Sequence, residues 1–235
     1  MDDDLISRPP RLPDVWRTPP PGRVLVLAPH PDDEVCGAGG ALALHRLQGD
    51  EVHAVFLTDG TSGDPDHRHG QPSDVARMRR AEADAAAERL GGFAGLKFFG
   101  LPDGYEVNEN DLNLVAGRLS ALVRELDPGV VYVPWSGETH SDHHNTRLAL
   151  ERAFTLGLPR PRWLLEYEVW SPLCAQVILD ITDVVSLKRS AIRAHESQVA
   201  YTDYGHHILG LNAHRALYLP HGRSHGEAFR VTRRA

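Results

Sequence analysis

The chain has 235 residues, is 41% hydrophobic and 24% charged, and carries a formal charge of −7, which suits one globular domain rather than a disordered or fibrous chain. The acidic balance excludes a nucleic-acid binder built on a basic face. No apolar run approaches the about 20 residues of a membrane-spanning helix, and two cysteines without CxxC spacing, Cys36 and Cys174, exclude a disulfide scaffold.

Residues 1–22 carry Pro9, Pro10, Pro13, Pro19, Pro20 and Pro21, which predicts an extended arm. Val15 and Trp16 are the residues that could pin it to the body or to a neighbouring subunit. Asp2–Asp4 stand where a secretory signal would be basic and then apolar, so a reducing cytoplasm is the expected setting. Residues 23–235 read as a single domain.

Val24–Ala28 is a short, β-branched apolar run, predicted as a buried parallel strand and stopped by Pro29 and Pro31. His30, Asp32, Asp33 and Glu34 follow at once. In an open parallel sheet, ligands sit at the carboxyl ends of the strands. His30 and Asp33 are three apart on a turn leading into a helix, so both can face one point, a common start for a zinc or similar divalent site. Asp32 between them is left free to handle a proton. An acidic first helical turn, favoured by the helix dipole, would give the same composition without a metal.

Gly37–Gly40 opens a helix through Leu47, ended by Gly49. Glycines there suit either a phosphate-binding loop or close packing of helix on sheet. Three preceding carboxylates would repel a phosphate, which favours packing. Cys36 is either a fourth metal ligand or a small packing residue. Glu51–Leu57 is a second strand, and residues 60–72 are a polar loop at the active edge, a candidate lid carrying His67 and His69. Ser73 caps a helix to Leu90, stopped by Gly91-Gly92. Leu96–Phe99 is a third strand, followed by a Pro102-Asp103-Gly104 turn. Asn108–Leu126 is a helix with Leu112, Val115, Leu119, Leu122 and Leu126 on one face.

Val130–Val133 is a fourth strand closed by Pro134, and it too leads to imidazoles and a carboxylate: His140, Asp142, His143 and His144. Two strand ends that each deliver His and Asp give three protein ligands and an open position, the catalytic form of a zinc site. A helix is expected from Asn145 to Leu156, strands over 162–170 and 176–181, and a helix capped by Thr182. On that last helix Lys188, Ala191, His195 and Gln198 share one face. The segment 205–226 is rich in histidine and glycine and matches no metal spacing; it could cover the substrate or meet a neighbouring subunit.

His30-Pro31-Asp32-Asp33-Glu34 with His140-Ser141-Asp142-His143 resembles the paired motifs of the PIG-L/LmbE-type deacetylases, zinc-dependent enzymes acting on N-acetylglucosamine-containing molecules. The resemblance runs from about Arg23 to the end, and Ser141 replaces the motif's proline without removing a ligand. It implies a Rossmann-like three-layer α/β fold with a mostly parallel sheet and helices on both faces. It implies one Zn2+ held by His30, Asp33 and His143, with His144 as the rival donor and Fe2+ accepted by the same groups. Asp32 would be the general base, and His140 the oxyanion stabiliser or the proton donor to the leaving amine, oriented by Asp142. Arg79, with Arg80 as its rival, and Asp103 would bind the sugar. Lys188, Ala191, His195 and Gln198 would support the active-site loops, and Glu227-Ala228-Phe229 matches the closing motif. The implied function is removal of an N-acetyl group from a small amino-sugar substrate, with no nucleic acid and no membrane insertion; homo-oligomerisation is left open. The alternatives are an amidase acting on another acylated small molecule or antibiotic, and a non-hydrolytic nucleotide-binding module.

Overall fold

The computed structural model describes residues 11–105 and 108–233. Eight strands among them form one sheet: β1 (Asp14–Trp16), β2 (Val24–Ala28), β3 (Val52–Thr58), β4 (Gly95–Leu101), β5 (Val130–Pro134), β6 (Trp163–Tyr167), β7 (Val177–Asp180) and β8 (Gly226–Arg233). Their order is β1-β7-β8-β6-β5-β2-β3-β4. All pairs are parallel except those of β8, which runs antiparallel to β6 and β7. The helices are α1 (Asp33–Gln48), α2 (Pro72–Arg89), α3 (Glu109–Leu126), α4 (Ser141–Thr155), α5 (Val185–Ala194), α6 (Glu196–Val199) and α7 (Tyr204–Arg215).

Every residue of β2 is buried, and its side chains alternate between two cores. Val24, Val26 and Ala28 face one layer with α1, α2, α5 and α7; Leu25 and Leu27 face the other with α3 and α4. A strand apolar on both sides must be covered on both sides, so this run dictates three layers. The chain winds outward from β2 through α1, β3, α2 and β4, then returns through α3 to β5 on the other flank of β2. The crevice at the carboxyl ends of β2 and β5 is thus the topological switch point of the sheet.

The glycines of α1 are there for close packing. A Cβ on Gly37 would lie 2.1 Å from the Tyr167 ring, and one on Gly40 would lie 2.5 Å from Ile181. Tyr167 cannot yield, being fully buried with its hydroxyl donating to the Leu27 carbonyl at 2.8 Å. Gly37→Ala is therefore expected to cost about 1–3 kcal/mol through overpacking, read as a lower denaturant midpoint in chemical unfolding.

A buried ion pair is set into the ladder of the same helix. Lys188 and Glu227 are both fully buried and 2.7 Å apart. Lys188 Nζ donates to the Cys36 carbonyl at 2.8 Å, while Glu227 accepts the N–H groups of Gly40 and Ala41 at 2.7 and 2.8 Å. The Cys36 carbonyl and the Gly40 N–H are the acceptor and donor of one i→i−4 step. Strand β8 and helix α5 therefore hold α1 by its backbone.

Some boundaries differ from expectation. Helix α4 starts at Ser141 rather than Asn145, because the His140 ring caps it: Nδ1 accepts the Asp142 N–H at 3.2 Å. The helix expected to carry both Lys188 and Gln198 breaks at His195, where ψ is 60°, into α5 and α6. Lys188, Ala191, His195 and Gln198 are nonetheless all buried. Part of the histidine-rich segment is α7 rather than a loop. Within the N-terminal arm, β1 is an edge strand on β7, and Trp16 meets Trp163 edge-on at 5.7 Å. No helix of the described residues is long and apolar enough to cross a membrane.

Candidate metal centre

The end of β2 delivers His30, Asp32 and Asp33, and the end of β5 delivers His140, Asp142 and His143. His30 Nδ1 lies 2.9 Å from Asp33 Oδ2, and His143 Nε2 lies 3.2 Å from the same oxygen. One ligand atom from each of His30, Asp33 and His143 falls within 4.8 Å of the others, so the three form a group able to hold a metal ion. Both ring nitrogens of His143 are buried without a hydrogen-bond partner, an orphaned pair that a cation and a neighbouring carboxylate would satisfy. Imidazole, carboxylate and imidazole also suit a divalent ion chemically.

The electrostatics agree. Burial opposes the charged form of His30, yet Asp142 and Asp33 hold its pKa up at about 10. Burial likewise opposes charge on His143, and Asp33 raises it to about 9. Asp33 is pulled well below the usual carboxylate range, its burial outweighed by the same two rings. A bound cation would compete with protons for these same ligand atoms.

Asp32 stands beside this group in an unusual backbone. Its φ is 149°, a region that non-glycine residues rarely enter, at a cost of order 1–3 kcal/mol. Burial raises its pKa to about 6 even though Arg79 lowers it. Arg79 is itself 2% exposed, and its Nη2 donates to Asp32 Oδ2 at 3.1 Å and to the Pro31 carbonyl at 2.5 Å. Arg80 instead lies over the Phe98 ring, outside the cavity. Glu34 turns back to accept the Asp32 N–H at 3.1 Å, and burial lifts its pKa to about 8.

A cavity of about 370 Å³ opens over these groups. His30, Asp32, Asp33, Arg79, Asp103, His140 and Asp142 border it, and the fully buried His143 lies behind them. Asp103 accepts the N–H groups of Gly60 and Ser62 at 2.9 and 2.6 Å, fixing the start of the loop over 60–72. That loop is organised around the buried Asp64, which accepts from Arg68 N, His69 N and the Tyr201 hydroxyl. A free lid is not what it forms, and neither His67 nor His69 joins the metal-binding group. Cys36 borders the cavity, also outside that group.

The orientation of His140 departs from expectation in one respect. The Asp142 carboxylate reaches His30 Nε2 at 2.9 Å and the Gly104 N–H at 2.8 Å. It is the Asp142 backbone N–H that meets His140. With Nδ1 accepting that N–H, the neutral ring of His140 carries its proton on Nε2. Burial and the neighbouring rings of His30 and His143 lower its pKa, which favours that neutral form.

Trp170 and Tyr204 also border the cavity and were not found from the sequence, whereas Gln198, expected on a face supporting the active-site loops, borders it as well. Trp170 stacks on His140 with centroids 6.2 Å apart. It lies just past the end of β6, the same kind of position that flagged the first two motifs.

His195 makes the site sensitive to acid. It is 2% exposed with both ring nitrogens unpartnered, and burial, reinforced by Arg79, lowers its pKa to about 3. Below the ordinary value of about 6.5 the unfolded chain takes up a proton that the folded chain refuses, so stability falls as pH falls. His195→Gln is expected to flatten this loss by about 1.4 kcal/mol per pH unit between pH 6 and 4, measured as wild-type and variant urea midpoints across that range.

Comparison with known proteins adds the following. A family model described as PIG-L: GlcNAc-PI de-N-acetylase matches residues 25–154. The chain is 30% identical over 193 residues to a diacetylchitobiose deacetylase of Thermococcus kodakarensis, covering 75% of this chain and 70% of that protein. It shares its fold with the N,N'-diacetylchitobiose deacetylase of Pyrococcus horikoshii, with a TM-score of 0.75 and 27% identity over 90% of this chain and 84% of that one. A 4-oxalmesaconate hydratase of Pseudomonas putida is 38% identical over 116 residues, 48% of this chain and 43% of that protein.

Proposed function

Because the chain belongs to the PIG-L family of GlcNAc-PI de-N-acetylases, we propose that it is a zinc-dependent hydrolase removing the acetyl group from an N-acetylglucosamine-containing small molecule. One observation carries this reading. Two separate strand ends bring His30, Asp33 and His143 together while leaving Asp32, a carboxylate with a raised pKa, alongside. The names of the two deacetylase relatives supply the substrate class.

His30, Asp33 and His143 would hold the ion, with His30 using Nδ1 and His143 using Nε2, the nitrogens nearest Asp33. A divalent cation held there would supply Lewis acidity, polarising the acetyl carbonyl and lowering the pKa of water towards neutrality. Asp32 takes the proton of the attacking water, and a pKa near 6 suits a base working at neutral pH. Arg79 fixes the position of that carboxylate and borders the cavity that the sugar would enter. The Nε2–H of neutral His140 donates to the acetyl oxygen as charge builds on it. The proton held by Asp32 then passes to the nitrogen as the C–N bond breaks, giving acetate and a free amine. Asp142 orients His30 from behind, and Asp103 offers its remaining lone pairs to sugar hydroxyls.

The hydratase match favours a second reading, addition of water to an unsaturated polyacid. The cavity opposes it: among the described residues that border it, Arg79 is the one arginine or lysine, and it is already paired with Asp32. A panel of N-acetylglucosamine glycosides, scored by released acetate and by new amine, tests the proposal. Activity is expected on at least one member, to be lost on dialysis against a chelator and restored by zinc. Turnover of a carboxylated diene, followed by loss of its absorbance, with no acetate released from any glycoside would overturn it.

A further inference from the structure

Glu138 lies between β5 and the second motif, and its side chain is fully buried. Its carboxylate does two things at once. Oε2 is 3.5 Å from His143 Nδ1, the ring nitrogen turned away from Asp33. The two oxygens also accept backbone N–H groups from the loop after β6: Oε1 accepts from Val169 at 2.7 Å and Ser171 at 3.4 Å, and Oε2 from Trp170 at 3.1 Å. A buried carboxylate is costly unless satisfied, and three amide donors satisfy this one. Trp170 in that loop is the cavity wall stacked on His140.

We propose that Glu138 is a positioning residue for the metal centre: its carboxylate takes the Nδ1–H of His143, turning Nε2 towards Asp33 and the ion, and the same group seats the Trp170 wall over the site. The arrangement mirrors Asp142 on His30, so each imidazole of the group has a carboxylate behind it. A carboxylate in that place fixes the tautomer and raises the basicity of the ligating nitrogen. The inference rests on His143 being a ligand, as proposed above.

The test is zinc affinity, measured by competition with a chromophoric chelator on the purified full chain, independent of turnover. Glu138→Gln keeps an oxygen for the Val169 and Ser171 amides and removes the carboxylate from His143. It is expected to bind zinc about 10–100-fold more weakly than wild type. Ser171→Ala keeps the Glu138 carboxylate and disturbs only the seating of the loop, since its hydroxyl accepts the Thr139 N–H at 3.1 Å and donates to Thr139 Oγ1 at 3.0 Å, and it is expected to bind zinc as wild type does. Near-ultraviolet circular dichroism of both variants checks that the tryptophan-bearing loops stay packed. Wild-type affinity in folded Glu138→Gln would overturn the proposal and leave the metal reading standing, with Glu138 a loop brace. Equal weakening in Ser171→Ala would overturn it as well, by tracing the effect to the loop. A wild-type chain that binds no divalent ion would sink both readings together.

Discussion

Asp32→Asn is expected to retain its zinc and lose about 10²–10⁴-fold in kcat, the range for a missing general base. The side chain is not needed to hold the ion, because the group of atoms within 4.8 Å is formed by His30, Asp33 and His143 without it. What the proposed mechanism asks of it is to accept a proton from water, and Arg79 keeps its carboxylate in place. Metal content by atomic absorption and turnover by acetate release are the paired measurements. An empty site in this variant would make Asp32 a ligand. A companion, Asp32→Gly, should be as inactive but more stable than Asp32→Asn by about 1 kcal/mol, since glycine accepts a φ of 149° that asparagine does not. The wild-type chain thus holds a strained residue beside the candidate metal group.

The second large effect is at His143. His143→Ala should lose stoichiometric metal and with it all turnover above background. His144→Ala should keep both, because His144 is exposed on the first turn of α4 whereas His143 is completely buried with Nε2 3.2 Å from Asp33. The two residues are adjacent and chemically identical, so only their place on the helix separates them: neighbours on an α-helix point about 100° apart. Metal analysis of the pair of variants settles which one is the donor, and loss of metal from His144→Ala alone would move the ligand by one position.

Much of the framework could be read from local pattern. A five-residue apolar run predicted β2, and the two motifs at strand ends predicted that His30 and His143 would meet, which they do. Residues that act over a long sequence distance were less legible. That the Asp142 carboxylate would serve His30 rather than His140 depends on how two loops approach, across 112 positions of sequence. Glu138 gave no periodic or motif signal, since a single acid in a polar loop is ordinarily solvated. Arg79 and Glu82 stand one helical turn apart, a spacing that is ordinarily a solvated pair, yet both are buried and serve different partners: Arg79 holds Asp32, and Glu82 accepts the N–H and hydroxyl of Ser197. Burial of a charge is decided by what packs over it, and here that cover is α5 and α6, more than a hundred residues later in the chain.

The carboxylate that meets the α1 backbone belongs to Glu227 on β8, a strand that follows every residue of the candidate metal group in chain order. Until β8 joins the sheet, the Gly40 and Ala41 amides lack the Glu227 carboxylate and the Lys188 ammonium lacks its counter-ion. A nonsense mutation just upstream of Glu227 would therefore spare every side chain around the metal and still produce a chain unable to seat them.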